Sequence, residues 1–159
     1  MQIRIVAVGK IKEKFYRDAI DEYAKRLSRY CKLTFVEVED EKTAENSSDR
    51  EIERILRKEA DGIEPYLEDN SEIIVLALEG RKFDSVAFSK KLHDIGLKGT
   101  SRIIFVIGGS LGLHDDIKKR ASLLLSFSDM TFPHQLMRVI LTEQIYRAYR
   151  IMNNEPYHK

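Results

Sequence analysis

The sequence predicts an α/β protein: a mostly parallel sheet with helices on both of its faces. Three observations carry this. Short apolar runs recur from Gln2 to Val8, Leu33 to Val38, Ile73 to Leu78, Arg102 to Ile107 and Leu123 to Phe127. Between them lie longer segments whose apolar residues repeat at helical spacing. The stretch FVIGGSLGLHDD, Phe105 to Asp116, then runs a strand straight into three glycines and a helix start. Strands spaced by helices give a parallel sheet covered on both sides, with ligands expected at the carboxyl ends of the strands.

Each element has its own signal. Gln2 to Val8 reads as a buried strand, followed by a helix on which Phe15, Ala19, Ile20, Tyr23 and Leu27 form the apolar stripe. After the second strand, the polar stretch DEKTAENSSD is a loop. Its Ser47, Ser48 and Asp49 are candidate caps for a charged helix carrying Ile52, Ile55 and Leu56. Gly62 and Pro65 are expected to break that helix. A third strand, a helix from about Ser85 to Ile95, a fourth strand and a fifth follow. Pro133 fixes the chain at the start of a last helix reaching Ile151.

At 159 residues the chain is expected to form one domain, residues 1–159, with no repeat, linker or low-complexity segment. Its formal net charge of +1 gives no global hint of a polyanionic partner, so a nucleic-acid surface must come from local clustering or from assembly. Cys31 is the only cysteine, which excludes an internal disulfide and fits a reducing compartment. MQIRIVAVGKIKEKF has no long apolar leader or cleavage site, and no run approaches a membrane span. A cytoplasmic protein with no membrane partner is expected.

The glycine loop fits neither standard phosphate pattern. A dinucleotide fingerprint needs glycine at 108, 110 and 113, where the chain has Gly108, Ser110 and Leu113, and the Gly-Lys-Ser/Thr ending of a P-loop is absent. Taken alone, GGSLG is equally well a tight strand-to-helix turn, and Asp129 a solvated turn residue. The last helix is more unusual. Leu136, Met137, Val139, Ile140, Leu141, Ile145, Tyr146, Ala148, Tyr149 and Ile151 cover most of its circumference, which predicts cover on two sides: either a central core helix or, favoured at the end of so short a chain, a self-associating surface and hence a homodimer. Its few polar residues include Glu143 and Arg147, an i,i+4 pair that is structural when considered singly. Tyr157, His158 and Lys159 end the chain, where residues are normally frayed. The histidines at 93, 114, 134 and 158 show no metal-ligand spacing, so no metal is expected. No serine occupies a nucleophile elbow.

Taken together, AVGK, FVIGGSLGL, LSFSDMTFPHQLMRVILTEQIYRA and the terminal PYHK, in this order and at these separations, resemble the ribosomal RNA large-subunit methyltransferase H family. This is a minimal SPOUT class that uses S-adenosylmethionine, and the resemblance runs from end to end of the chain. It implies an α/β domain whose C-terminal part forms a deep trefoil knot, which strand and helix periodicity would never suggest. It also implies a cofactor wrapped by Leu76, Gly108, Phe127, Ser128, Asp129, Met130, Thr131 and Phe132, with space at Gly108 for the ligand.

The family's reaction, methylation of N3 of a pseudouridine in large-subunit ribosomal RNA on assembled ribosomes, needs a methyl donor in line with a ring nitrogen and removal of that nitrogen's proton. The resemblance makes His158 the candidate base, since histidine titrates in the useful range. Tyr157 is expected to stack on the unpaired base, and Arg147 to bind phosphate or a developing imide anion. Lys10, Lys12, Lys14, Arg138, Arg147, Arg150 and Lys159 from two subunits would surround one RNA loop. Two rival functions are a non-catalytic ribosome-binding factor on the same fold and an α/β enzyme for another nucleotide. Titration with S-adenosylmethionine, S-adenosylhomocysteine, NAD and ATP separates them.

Overall fold

The computed structural model describes residues 1–159. Its strands are β1 (Gln2–Val8), β2 (Lys32–Val38), β3 (Glu72–Lys82), β4 (Arg102–Ile107) and β5 (Leu123–Ser126), all parallel, in the order β2-β1-β4-β3-β5. The helices are α1 (Lys14–Leu27), α2 (Asp49–Ile63), α3 (Ser85–Leu97), α4 (Asp115–Lys119) and α5 (His134–Met152). Strand alternation divides the core in two. Ile3, Ile5, Ile74 and Phe105 point to the face covered by α1, α3 and α5, where they meet Leu27, Phe88, Leu92, Leu141 and Ile145. Val6, Val8, Val75, Ile104 and Val106 point the other way, onto Ala60, Ile63 and Ile117 of α2 and α4. The period of two along each strand therefore feeds both layers.

Ser48 caps α2 by accepting from the Glu51 N–H at 3.3 Å, and Asp84 caps α3 by accepting from Ala87 at 2.7 Å. At four places the structure departs from the expectations. Gly62 does not break α2: the helix runs to Ile63 and Pro65 opens a single 3₁₀ turn, Glu64–Tyr66. A Cβ on Gly62 would lie 2.6 Å from Val38 Cγ1, so glycine is there because the helix lies close against β2. On α1 the packed stripe is Tyr16, Ile20, Tyr23 and Leu27, at steps of four, three and four, and Phe15 stands off it, exposed. β3 continues to Lys82 through an irregularity at which Leu125 faces both Leu76 and Arg81. β5 ends at Ser126, leaving Phe127 outside the strand.

α5 lies in the layer with α1 and α3, with Leu141, Ile145 and Ala148 fully buried within the chain itself. Most of its apolar circumference is thus satisfied by its own chain, and the argument for a second copy narrows to Leu136, Val139, Ile140 and Ile151, which stay half-buried outside the two core clusters.

Candidate cofactor cavity and C-terminal constellation

One cavity of about 460 Å³ opens over the carboxyl ends of β3, β4 and β5. Its walls are Leu76–Glu79 of β3, Ile107–Leu113 of the glycine loop, Leu125–Ser128 and Met130–Phe132 after β5, and His134 and Met137 on α5. The position follows from the topology, since loops at the carboxyl edge of parallel strands meet there. Of the expected cofactor residues, Leu76, Gly108, Phe127, Ser128, Met130, Thr131 and Phe132 line it. Asp129 does not: it is exposed and its carboxylate pairs with Lys82.

Both loops are ordered locally. The Gly112 N–H donates to the Gly109 carbonyl at 3.1 Å, and Gly112 has φ +82°, a conformation that favours glycine. A Cβ on Gly108 would stand 2.5 Å from the Gly112 carbonyl oxygen. Glycine at 108 is therefore demanded by the turn itself, as the turn reading of GGSLG expects, whether or not a ligand also needs the space. In the second loop, Ser128 Oγ accepts from the Met130 N–H at 3.0 Å, and Ser126 Oγ donates to the Ser128 carbonyl at 3.2 Å.

The lining is mostly apolar side chain, glycine and exposed backbone. Glu79 and Lys118 pair at 2.7 Å at the wall, and this hydrogen bond holds the Glu79 carboxyl below its ordinary range. Burial, followed by the neighbouring Arg138 guanidinium, pushes the His134 imidazole down, favouring its neutral form. With no unpaired cation cluster, the cavity suits a nucleoside carrying little net negative charge better than a polyphosphate. Leu111 lies within the glycine loop, and His134 and Met137 within the block that follows β5, but sequence alone names none of the three as cavity wall.

The C-terminal residues are held, not frayed. Glu155 takes both Arg150 and the Tyr30 hydroxyl, and Arg150 also donates to the Pro156 carbonyl at 2.9 Å. Tyr157 packs edge-on against Tyr146, with ring centroids 4.8 Å apart, and its hydroxyl donates to Glu143 Oε1 at 2.9 Å. The same carboxylate oxygen accepts from Arg147 at 2.6 Å. Arg147 lies over the Tyr157 ring, 4.6 Å from its centroid, and reaches Nδ1 of His158 at 3.3 Å. Burial and the Glu143 carboxylate raise the Tyr157 phenol above its ordinary range, so it stays protonated. His158 is exposed and borders a second cavity of about 520 Å³, shared with Asp84, Ser85, Gln144 and the segment Leu125–Phe127. That segment is a wall common to both cavities.

Two expected RNA contacts are corrected. Arg138 is buried, donating to the carbonyls of Val8 at 2.9 Å and Gly9 at 2.7 Å and pairing with Glu37 at 3.1 Å. Arg150 is committed to fastening the tail. Neither guanidinium is free for phosphate.

A parallel sheet whose glycine turn and post-β5 loop enclose one cavity at the strand ends defines a ligand-binding α/β protein, and its second cavity places a histidine beside the first. Comparison with known proteins makes this specific. The chain belongs to the SPOUT methyltransferases: the family model described as "Predicted SPOUT methyltransferase" matches residues 1–158. It is 58% identical over 159 residues, the full length of both chains, to the ribosomal RNA large subunit methyltransferase H of Bifidobacterium adolescentis. The protein of that name from Clostridium tetani is 55% identical, again over the whole of both chains. A solved methylase-family protein from Haemophilus influenzae Rd KW20 superposes with a TM-score of 0.58 at 14% identity, covering 99% of this chain and 70% of that one, which shows the shared fold. The protein is a methyltransferase.

Proposed function

We propose that this enzyme uses S-adenosylmethionine to methylate N3 of a pseudouridine in large-subunit ribosomal RNA on the assembled ribosome, as a cytoplasmic homodimer. Each chain is a single domain, residues 1–159, knotted at its C-terminal part. The observation that carries the reading is the adjacency of two cavities across Leu125–Phe127, one lined by the cofactor positions and the other by His158. The full-length relatives named for ribosomal RNA methylation support the substrate.

Leu76, Gly108 and the stretch Phe127–Phe132 hold the cofactor, Asp129 contributing at most backbone. The largely apolar, glycine-edged lining fits its adenosine and methionine parts, and when bound the cofactor supplies an activated methyl group on a sulfonium. In the second cavity the residues of the chain orient the acceptor base and remove its N3 proton. His158 takes that proton. Arg147, fixed by Glu143 and lying over the Tyr157 ring, directs positive charge toward the anion that develops as the proton leaves. Tyr157, engaged with Tyr146 and Glu143, positions Arg147 and His158; this replaces the expectation that its ring stacks on the substrate. Lys10, Lys12, Lys14 and Lys159 are exposed and contact the RNA backbone.

Mass spectrometry of large-subunit RNA, after incubation of ribosomes with protein and cofactor, tests the reaction. A 14 Da gain on the pseudouridine, and none when that position is unmodified uridine, is expected from a single added methyl group (about 14 Da). Binding of NAD or ATP in preference to S-adenosylmethionine would overturn it.

A further inference from the structure

Phe15 is the most exposed aromatic side chain in the molecule, 64% accessible, although it sits in the first turn of a helix whose other aromatics are packed. Its one aromatic neighbour is Tyr16, with ring centroids 4.3 Å apart, and its outer face is open. Lys10, Lys12, Lys14 and Arg17 lie within five residues of it along the chain, all exposed. Lys14 pairs with Asp18, and Arg17 donates to the Ile11 carbonyl at 2.8 Å; Lys10 and Lys12 are exposed and enter no ion pair. Hydrogen bonds tie the segment to the cofactor cavity. The Lys12 N–H donates to Gln135 Oε1 at 3.0 Å, next to His134 in the cavity wall, and the Ile11 N–H donates to Glu37 at 2.8 Å.

We propose that Phe15, with Lys10 and Lys12, is a nucleotide-binding subsite: an unpaired base flanking the methyl acceptor stacks on the ring while the lysines hold its phosphates. The inference rests on the RNA-methylation reading. An exposed ring face on a segment that carries two unpaired lysines is the combination that grips single-stranded nucleic acid, since every base offers a π-face and every linkage a negative charge. Protein interface cores, by contrast, are depleted in lysine. A twofold contact between two copies through this patch would set lysines against lysines.

Two measurements test it. A photoreactive phenylalanine analogue at position 15, irradiated with ribosomes, should cross-link to large-subunit RNA. Cross-links only to ribosomal protein or to a second copy of the chain would overturn the proposal. In steady-state methyl transfer, Phe15→Ala should raise KM for ribosomes at least about fivefold, from the usual worth of a stacked base, and leave kcat, cofactor affinity and oligomeric mass unchanged. Phe15→Trp should restore KM and Phe15→Leu should not; rescue by leucine would mean apolar packing and sink the idea. Lys10→Ala and Lys12→Ala should each reduce the log–log salt slope of ribosome binding by about 0.7. RNA cross-linking without any methyl transfer would overturn the reaction and leave the subsite. Methyl transfer without RNA cross-linking would do the reverse.

Discussion

Glu143 accepts from Arg147 and Tyr157 with one oxygen, so a single carboxylate sets the positions of the two residues that flank His158. His158→Ala should therefore slow methyl transfer by about 10²- to 10⁴-fold with cofactor affinity intact, the range for loss of a general base. Raising the pH should recover part of the rate by ionising the acceptor imide directly; a flat pH profile with normal turnover would remove His158 from the mechanism. A second carboxylate, Glu59 on α2, is buried beside the glycine loop: a Cβ on Gly109 would lie 3.7 Å from its oxygens. Burial, with Asp40 and Glu41 nearby, raises its pKa. Because the folded pKa lies above the unfolded one, the folded state binds more protons between the two, and the stability linked to this group falls as pH rises through that window. Glu59→Gln should thus raise Tm at neutral pH and give no advantage well below the carboxylate range. Thermal melts across pH check this, and equal Tm differences at every pH would show that Glu59 carries no such penalty.

At the scale of elements, α5 illustrates what apolar pattern can and cannot determine. The pattern places the helix correctly, and the need for cover on two sides is real, but its own chain provides most of that cover. Period and composition do not tell which neighbour buries a face. Phe15 fails for a related reason: it is apolar and within reach of the helical stripe, yet the stripe chosen by packing runs through Tyr16, one residue on. Gly62 reads as a helix breaker because close approach and helix breaking leave the same residue in the sequence. GGSLG alone reads equally as a turn, and the post-β5 wall of the cavity is legible only through family resemblance, whereas Met137 reaches it from α5, where its apolar side chain reads as core. The tail was legible only through family resemblance, since its anchors, Tyr30 and Glu143, are distant in sequence. Deleting residues 157–159 should leave fold and cofactor binding intact and abolish methyl transfer. Full activity in the truncated protein would make the constellation ornamental.

Over the whole molecule, a formal charge of +1 must serve an enzyme proposed to act on a polyanion. With Arg138 and Arg150 used internally, one chain offers few free cations near the cavities, and two copies offer twice as many around one RNA loop. In the proposed homodimer the apolar surface that α5 leaves for pairing is Leu136, Val139, Ile140 and Ile151, half-buried, with Met130, 74% exposed, on the cavity loop before it. Of these, Met130 lines the cofactor cavity, and His134 and Met137 of α5 line it too. If the protein acts as the proposed homodimer, separating the copies should divide the activities. Ile140→Asp should leave a folded chain that binds cofactor, halve the mass in light scattering to the 18.5 kDa of one chain, and lose ribosome methylation. Ile145→Asp is the contrast, because Ile145 is fully buried in its own chain. An unpaired charge there should cost about 3 kcal/mol or more and weaken the fold itself. A wild-type protein that is monomeric at micromolar concentration, or an Ile140→Asp monomer that methylates ribosomes at the full rate, would show that one chain suffices.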